Sequence, residues 1–238
     1  MEPADDARLD HLDHLVVAID GPSGSGKSSA SRGVARRLGL RYLDTGAMYR
    51  AITWWLLREG VRVDDAEAVA VHSAGPVLDV GTDPKGPTIA VDGIDVSRPI
   101  RSREVTNAVS AVSAVPAVRT RLVDLQRELI GAGGIVVEGR DIGTTVAPDA
   151  DVKVFLTAHA DERARRRAAE GLAGARVEVG LTRQEMVRRD KVDSGRAASP
   201  LTQAADAVVV DTTALDLQQV IDQICALAVE QVGTAGRR

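Results

Sequence analysis

Aromatic side chains are nearly missing from this chain: two Trp, two Tyr and one Phe among 238 residues. A chain of this length needs a sizeable core, and a 44% apolar composition has to supply it mainly from Val, Leu, Ile and Ala. Cysteine is as scarce. Cys225 stands alone, which excludes an intrachain disulfide framework and fits a reducing, cytoplasmic setting. It falls on the apolar stripe of a C-terminal helical stretch, where a buried, inert thiol is expected. No apolar run reaches the roughly 18 residues of a membrane span. Residues 1–14 read as an acidic, solvated tail without signal-peptide character, and the His11/His14 pair within it is too sparse for a metal site. Lysine occurs 4 times against 26 arginines, yet the net charge is −4, which argues against broad nucleic-acid binding. The single asparagine, Asn107, is followed by Ala, so the Asn-Lys-x-Asp motif by which GTPase switches read guanine is absent.

What the chain does have is Gly21-Pro22-Ser23-Gly24-Ser25-Gly26-Lys27-Ser28. It fits G-x-x-x-x-G-K-[ST], a loop whose backbone N–H groups and lysine cradle a nucleoside triphosphate. Its setting is the one the motif requires. Leu15 to Asp20 is an apolar run of strand length, and beyond the loop Ala30, Val34 and Leu38 recur at helical spacing until Gly39. A flexible Gly/Ser turn leaves the lysine and hydroxyl at the helix start unexplained.

The rest of the chain alternates strand and helix. Arg41–Asp44 is a second strand, and Thr45 opens a helix to about Glu59, with Asp44 or Thr45 as its cap. Between Val61 and Ser102 the pattern changes. A short helix over Asp64–Ala74 precedes strands at Pro76–Val80 and Thr88–Val91, then an Asp92-Gly93 hairpin signal and a return at Ile94–Val96. This reads as a small antiparallel sheet inserted into a parallel α/β fold. Ser102 or Thr106 starts a helix that Pro116 breaks, and a second helix runs to Gly133-Gly134. Ile135–Val137 is a strand leading into Glu138-Gly139-Arg140-Asp141, a polar cluster where ligand-contacting residues of open sheets collect. Val152–Leu156 and Ala207–Val210 are further strands. Between them lie an arginine-bearing helix around residues 163–167, a glycine-containing loop over 171–180, and a helix over Thr182–Asp193. Leu217, Val220, Ile221, Ile224 and Leu227 form the inward stripe of the closing helix. Five strands alternating with helices predict a doubly wound parallel sheet. From the residues alone, a small phosphoryl-transfer kinase and a nucleotide-binding relative without turnover both remain.

Several motifs in one order narrow this. The phosphate loop, Leu43-Asp44-Thr45-Gly46-Ala47-Met48-Tyr49-Arg50, Asp95-Val96-Ser97 with Ile100-Arg101, and Asn107-Ala108-Val109-Ser110 resemble bacterial cytidylate kinases. So do Val137-Glu138-Gly139-Arg140-Asp141-Ile142-Gly143-Thr144 and Arg189-Asp190-Lys191-Val192-Asp193-Ser194-Gly195-Arg196 with Pro200-Leu201. The resemblance spans Val16 to about Val229. Two positions depart from some members, Glu138 where they have Asp and Thr45 where they have Ser, and both keep the chemistry. The stretch from Gly171 to Gly180 matches weakly.

The resemblance implies a five-stranded P-loop kinase fold with a core over 15–60 and 103–238, a monophosphate-binding insertion over 61–102 and a lid over about 163–190. It implies transfer of the γ-phosphoryl of ATP to CMP or dCMP by a cytoplasmic monomer, in pyrimidine nucleotide metabolism. ATP would lie on Gly21 to Ser28 and on Ser29, with Lys27 on the β- and γ-phosphates and Ser28 on Mg²⁺. Thr45, Arg119 and Asp141 match positions that read cytosine, with Arg196 nearby, and Ser110, Arg189 and Asp193 match positions near the sugar. Arg50 and Arg140 match arginines on the acceptor phosphate, Tyr49 and Arg101 fall in the same motifs, and Arg163, Arg166 and Arg167 fall in the lid region that approaches the transferring phosphates. UMP, dTMP or shikimate kinases are the runner-up readings. Chemically, an acceptor phosphate with a second pKa near ~6 is already a nucleophile at neutral pH, so no strong general base is required. Positioning and charge neutralisation carry such a reaction, and converging arginines suit it.

Overall fold

A computed structural model describes residues 12–170 and 201–235, with Val187, Asp190, Ser194 and Gly195 between those segments. The expected strand pattern forms one five-stranded parallel sheet. Its strands are β1 (Val16–Asp20), β2 (Arg41–Asp44), β6 (Ile135–Gly139), β7 (Val152–Thr157) and β8 (Val208–Asp211), in the order β2-β6-β1-β7-β8. The central strand β1 lies between β6 and β7, partners from much later in the chain. The chain leaves β1 toward the β2 edge and crosses back from β6 to β7. That reversal opens a crevice at the carboxyl ends of β1, β2 and β6.

Both faces of the sheet are covered, as apolar side chains alternating along each strand require. Val17 and Ile19 of β1 pack with Tyr42, Val136 and Val154 beneath helices α1 (Lys27–Leu38) and α7 (Leu217–Ala235). Ala18 faces the other way, with Leu43, Ile135 and Val137, under α2 (Thr45–Arg58), α4 (Arg103–Val112) and α5 (Pro116–Ile130). Cys225 is buried in the first cluster, as expected. Leu217 departs from the predicted stripe: it sits at the open start of α7, half exposed.

The small sheet also forms, antiparallel, from β3 (Leu78–Val80), β4 (Ile89–Val91) and β5 (Ile94–Asp95), preceded by the short α3 (Ala66–His72). Asp92 and Gly93 both take positive φ, 50° and 77°, as a two-residue hairpin of this hand requires. Side chains of the larger unit hold it in place. Arg32 and Arg36 of α1 donate to the Pro84 carbonyl at 3.3 and 3.0 Å, and Trp55 Nε1 donates to Asp92 at 3.0 Å. The Tyr42 N–H donates to the Thr82 carbonyl at 2.8 Å, so this loop also covers the β2 edge.

Helix ends follow their caps. Asp44 accepts from the Ala47 N–H at 2.9 Å at the start of α2, and Ser102 caps α4. Pro116 occupies the first turn of α5, where its missing N–H costs nothing, and Gly131 ends that helix two residues before the expected Gly-Gly pair. A π-helical turn over Ile142–Val146 follows β6 and was not legible in the sequence. The helix after β7 is α6 (Ala160–Glu170). The predicted loop over 171–180 and nearly all of the predicted 182–193 helix lie outside the described residues. No described helix is long and apolar enough to cross a membrane.

Candidate active site

The donor loop is shaped by its backbone. Gly21, at φ 147°, follows β1 so closely that a Cβ there would stand 2.1 Å from the Leu156 carbonyl oxygen of β7. Gly26, at φ 88°, is the N-cap of α1 and offers no side chain, so the first amides of that helix stay open toward the cleft. A helix start with unspent N–H groups is a ready anion site. Lys27 begins the helix, is buried, and donates from Nζ to the Pro22 carbonyl at 2.8 Å.

Three carboxylates close the neighbouring strand ends: Asp20 on β1, Asp44 on β2 and Glu138 on β6, with Glu138 in register with Ile19 and Asp44. Asp20 accepts from the N–H groups of Ile142 and Gly143 at 2.9 and 2.8 Å, which ties the π-helical turn to the loop. Burial pushes its carboxyl up to about 6 against these two bonds. Glu138 accepts from Ser28 Oγ at 3.0 Å on one oxygen and from the Tyr42 hydroxyl on the other. Burial, reinforced by the Asp44 charge, pushes Glu138 up to about 7, while Lys27 and the two hydroxyl donors pull it down. Burial likewise drives the Tyr42 phenol far above its ordinary range. The sequence reading assigned no role to Asp20 or Tyr42. Glu138 stands out in the sequence as the start of the polar cluster after β6 and as a departure from the motif, with no role of its own. The available signal was an acidic residue closing each of two otherwise apolar strands.

Across the cleft stand side chains from separate elements. Thr45 is buried and donates to the Glu138 carbonyl at 2.7 Å. Arg50 donates to Thr106 Oγ1 and the Ile100 carbonyl at 3.0 and 3.2 Å, and Arg101 lies 3.9 Å from the Asp44 carboxylate. Arg119 and Asp141 form a buried ion pair, with the Arg119 guanidinium 5.4 Å from the centre of the Tyr49 ring. Arg119 Nη1 also donates to the Ser113 carbonyl at 3.3 Å, while its buried Nε–H has no acceptor among the described residues.

One cleft is lined by Ser23, Gly24, Gly26, Lys27, Ser28 and Ser29 on the loop side. On the other side it is lined by Thr45, Tyr49, Arg50, Arg101, Arg119, Arg140 and Asp141. The structure therefore brings together most of the residues that the sequence singled out. Gly21, Pro22 and Ser25 shape the loop from behind and do not line the cleft. Ser113 lines the cleft where Ser110 was expected; it lies one turn later, at the C-cap of α4. Arg163 and Arg166, expected over the phosphates, do not line the cleft either. Arg163 is buried and donates to the Ser23 carbonyl at 3.0 Å, to the Ala158 carbonyl and to Asp190. Arg166 bonds Glu162 and both the hydroxyl and carbonyl of Thr212. Arg163 thus bonds the loop directly, whereas Arg166 lies beside Gly26 and reaches the loop through Thr212, whose hydroxyl donates to the Ser25 carbonyl at 3.2 Å. Arg189, Asp193, Arg196 and the Arg167 side chain lie outside the described residues.

The cytidylate kinase family model matches residues 17–230. A cytidylate kinase of Streptomyces griseus is 60% identical over 215 residues, covering 90% of this chain and 92% of the relative. One from Rhodococcus opacus is 54% identical over 221 residues, covering 92% and 96%. Among solved structures, an uncharacterized protein from Eubacterium ventriosum superposes with a TM-score of 0.51 at 12% identity, over 91% of this chain and 99% of that one, a likeness of fold alone. Sequence motifs, strand order and a family match over nearly the whole chain agree: the protein belongs to the cytidylate kinase family.

Proposed function

We propose that the protein transfers the γ-phosphoryl group of ATP to CMP or dCMP, giving ADP and CDP or dCDP. The observation that carries this reading is the buried Arg119–Asp141 pair, which faces the donor loop across one cleft. A carboxylate beside a guanidinium presents an acceptor next to a donor. Cytosine carries the matching pair, an exocyclic amine donor beside a ring-nitrogen acceptor. Uracil carries the opposite pair, so a dry site of this polarity rejects it.

The residues then take distinct roles. The loop amides and Lys27 hold the β- and γ-phosphates of the donor. Arg50, Arg101 and Arg140 surround the acceptor phosphate, which attacks in its ionised form without a general base. Thr45 and Tyr49 complete the base wall, with Arg196 nearby, and Ser110, Arg189 and Asp193 are assigned to the sugar. Arg163, Arg166 and Arg167 belong to the lid over about 163–190, and residues 61–102 form the monophosphate-binding insertion of a core spanning 15–60 and 103–238. Within the tail expected over residues 1–14, the described residues depart from that reading: Leu12 packs against the core and His14 Nδ1 lies 3.1 Å from the Ala132 carbonyl oxygen. The reading includes a cytoplasmic monomer serving pyrimidine nucleotide metabolism.

Mg²⁺ fits the donor set at the loop. Ser28 Oγ and Glu138 lie 3.0 Å apart, two hard oxygen donors at the mouth of the helix. Among the described residues no three His, Cys, Asp or Glu side chains form a metal cage, and Mg²⁺ takes only one or two protein ligands beside substrate phosphates. When bound, it would supply charge neutralisation for the phosphates. A coupled assay with ATP and Mg²⁺ against CMP, dCMP, UMP, AMP and shikimate tests the reading. CMP should be used at least about tenfold more efficiently than UMP, AMP or shikimate. A better rival acceptor, or no turnover with any, contradicts the reading.

A further inference from the structure

Tyr42 is one of two tyrosines in the chain and is among the largest fully buried side chains. It lies on β2, and residues two apart on a strand share a face, so Tyr42 stands on the face of β6 that carries Val136 and Glu138. A buried phenol needs a partner, and here that partner is Glu138, bonded across 96 residues of sequence. Glu138 is itself buried and has no other side-chain partner in the described residues than Tyr42 and Ser28. The terminal torsion of a glutamate is soft, so a single hydrogen bond to Ser28 would leave the carboxylate plane free to turn. Two donors, one per oxygen, hold that plane. Tyr42 is in turn fixed from its backbone side by the 2.8 Å bond to the Thr82 carbonyl.

We propose that Tyr42 is a positioning residue for phosphoryl transfer: its hydroxyl locks the Glu138 carboxylate so that the second oxygen stays on Ser28, the hydroxyl assigned to Mg²⁺. The inference rests on the phosphoryl-transfer reading above. It separates Tyr42 from ordinary core packing, because a packing role affects stability alone, whereas a positioning role affects how the loop uses metal.

The test measures ADP binding by calorimetry, with and without Mg²⁺, on wild type, Tyr42→Phe, Glu138→Gln and the double variant. Tyr42→Phe keeps the ring and removes only the donor. It should weaken Mg²⁺-ADP binding roughly tenfold, as loss of a ligand-orienting hydrogen bond does. Metal-free ADP affinity and the KM for CMP should stay within about twofold of wild type, and the double variant should be no worse than Glu138→Gln. Unchanged Mg²⁺-ADP binding in Tyr42→Phe, an equal loss of metal-free binding, or additive losses in the double variant would overturn the proposal. If Tyr42→Phe does not fold, Glu138→Gln decides, since Tyr42 acts through Glu138: retention of the full Mg²⁺ effect there contradicts the proposal. CMP turnover by the same wild-type preparation is measured alongside. Its absence sinks the kinase reading independently of the binding result.

Discussion

The two halves of the cleft are built in different ways. The half proposed to hold the donor is one stretch, Gly21 to Ser29, shaped by backbone conformation and by the close approach of Gly21 to β7. Apart from Lys27 and Ser28, it asks little of side chains. The acceptor half draws Thr45, Tyr49, Arg50, Arg101, Arg119, Arg140 and Asp141 from α2, the turn before α4, α5 and the end of β6. It works through charged side chains, and its centre is a buried ion pair. A backbone-built site fails when the chain path changes. A site built from buried charges fails when one partner is removed, because the other is left uncompensated.

That contrast sets the order of expected effects. Arg119→Ala should be the most damaging to the fold, costing about 3–5 kcal/mol in denaturant unfolding by stranding the Asp141 charge. A loss below about 1 kcal/mol would mean that the acceptor wall is solvated, and the contrast would fail. Lys27→Ala should lower kcat by on the order of 10²–10³ while CMP affinity barely moves, since its work is on transition-state charge. An unchanged kcat would remove Lys27 from the donor role. Gly21→Ala should cost roughly 1–3 kcal/mol, because the added methyl must push β1 and β7 apart. ATP affinity should fall with it more than CMP affinity, and the reverse ranking would break the comparison.

The pH dependence gives a smaller effect from beneath the loop. Asp20 and Glu138 hold their protons to about 6 and about 7 when folded, against 3.8 and 4.5 otherwise. The folded state therefore binds more protons in this window. The stability that these groups contribute is complete below about pH 4 and is lost as pH rises through about 6 and then about 7. Glu138→Gln carries no charge at any pH, so its stability relative to wild type should rise by roughly 1–3 kcal/mol between about pH 5 and pH 8. A difference that stays flat with pH would contradict the burial of Glu138.

The same contrast explains what was legible in the sequence. The donor loop, the strands and the Asp92-Gly93 hairpin are local features: each is decided by neighbours within a few residues, and each was read from them. The roles proposed for individual acceptor residues come only from resemblance to a family, since nothing local tells Arg119 from Arg121 on α5. The long-range bonds left no local trace. Tyr42–Glu138 spans 96 residues and Asp20–Ile142 spans 122. Arg163 and Arg166 read as arginines available to phosphate. A helix face cannot say which carbonyls it will meet, and in the fold they meet Ser23 and Thr212. Ser113 lines the cleft because α4 ends at Val112 and its C-cap sits there, which the sequence around Ser110 does not single out.

The central claim is that the buried Arg119–Asp141 pair reads the base while the loop reads the triphosphate. Steady-state kinetics of Asp141→Asn with CMP and UMP tests it most directly. The account predicts that the CMP-over-UMP ratio of kcat/KM collapses by at least about tenfold while the KM for ATP stays within about twofold. An unchanged ratio, or an ATP KM that moves as far as the CMP KM, would contradict it.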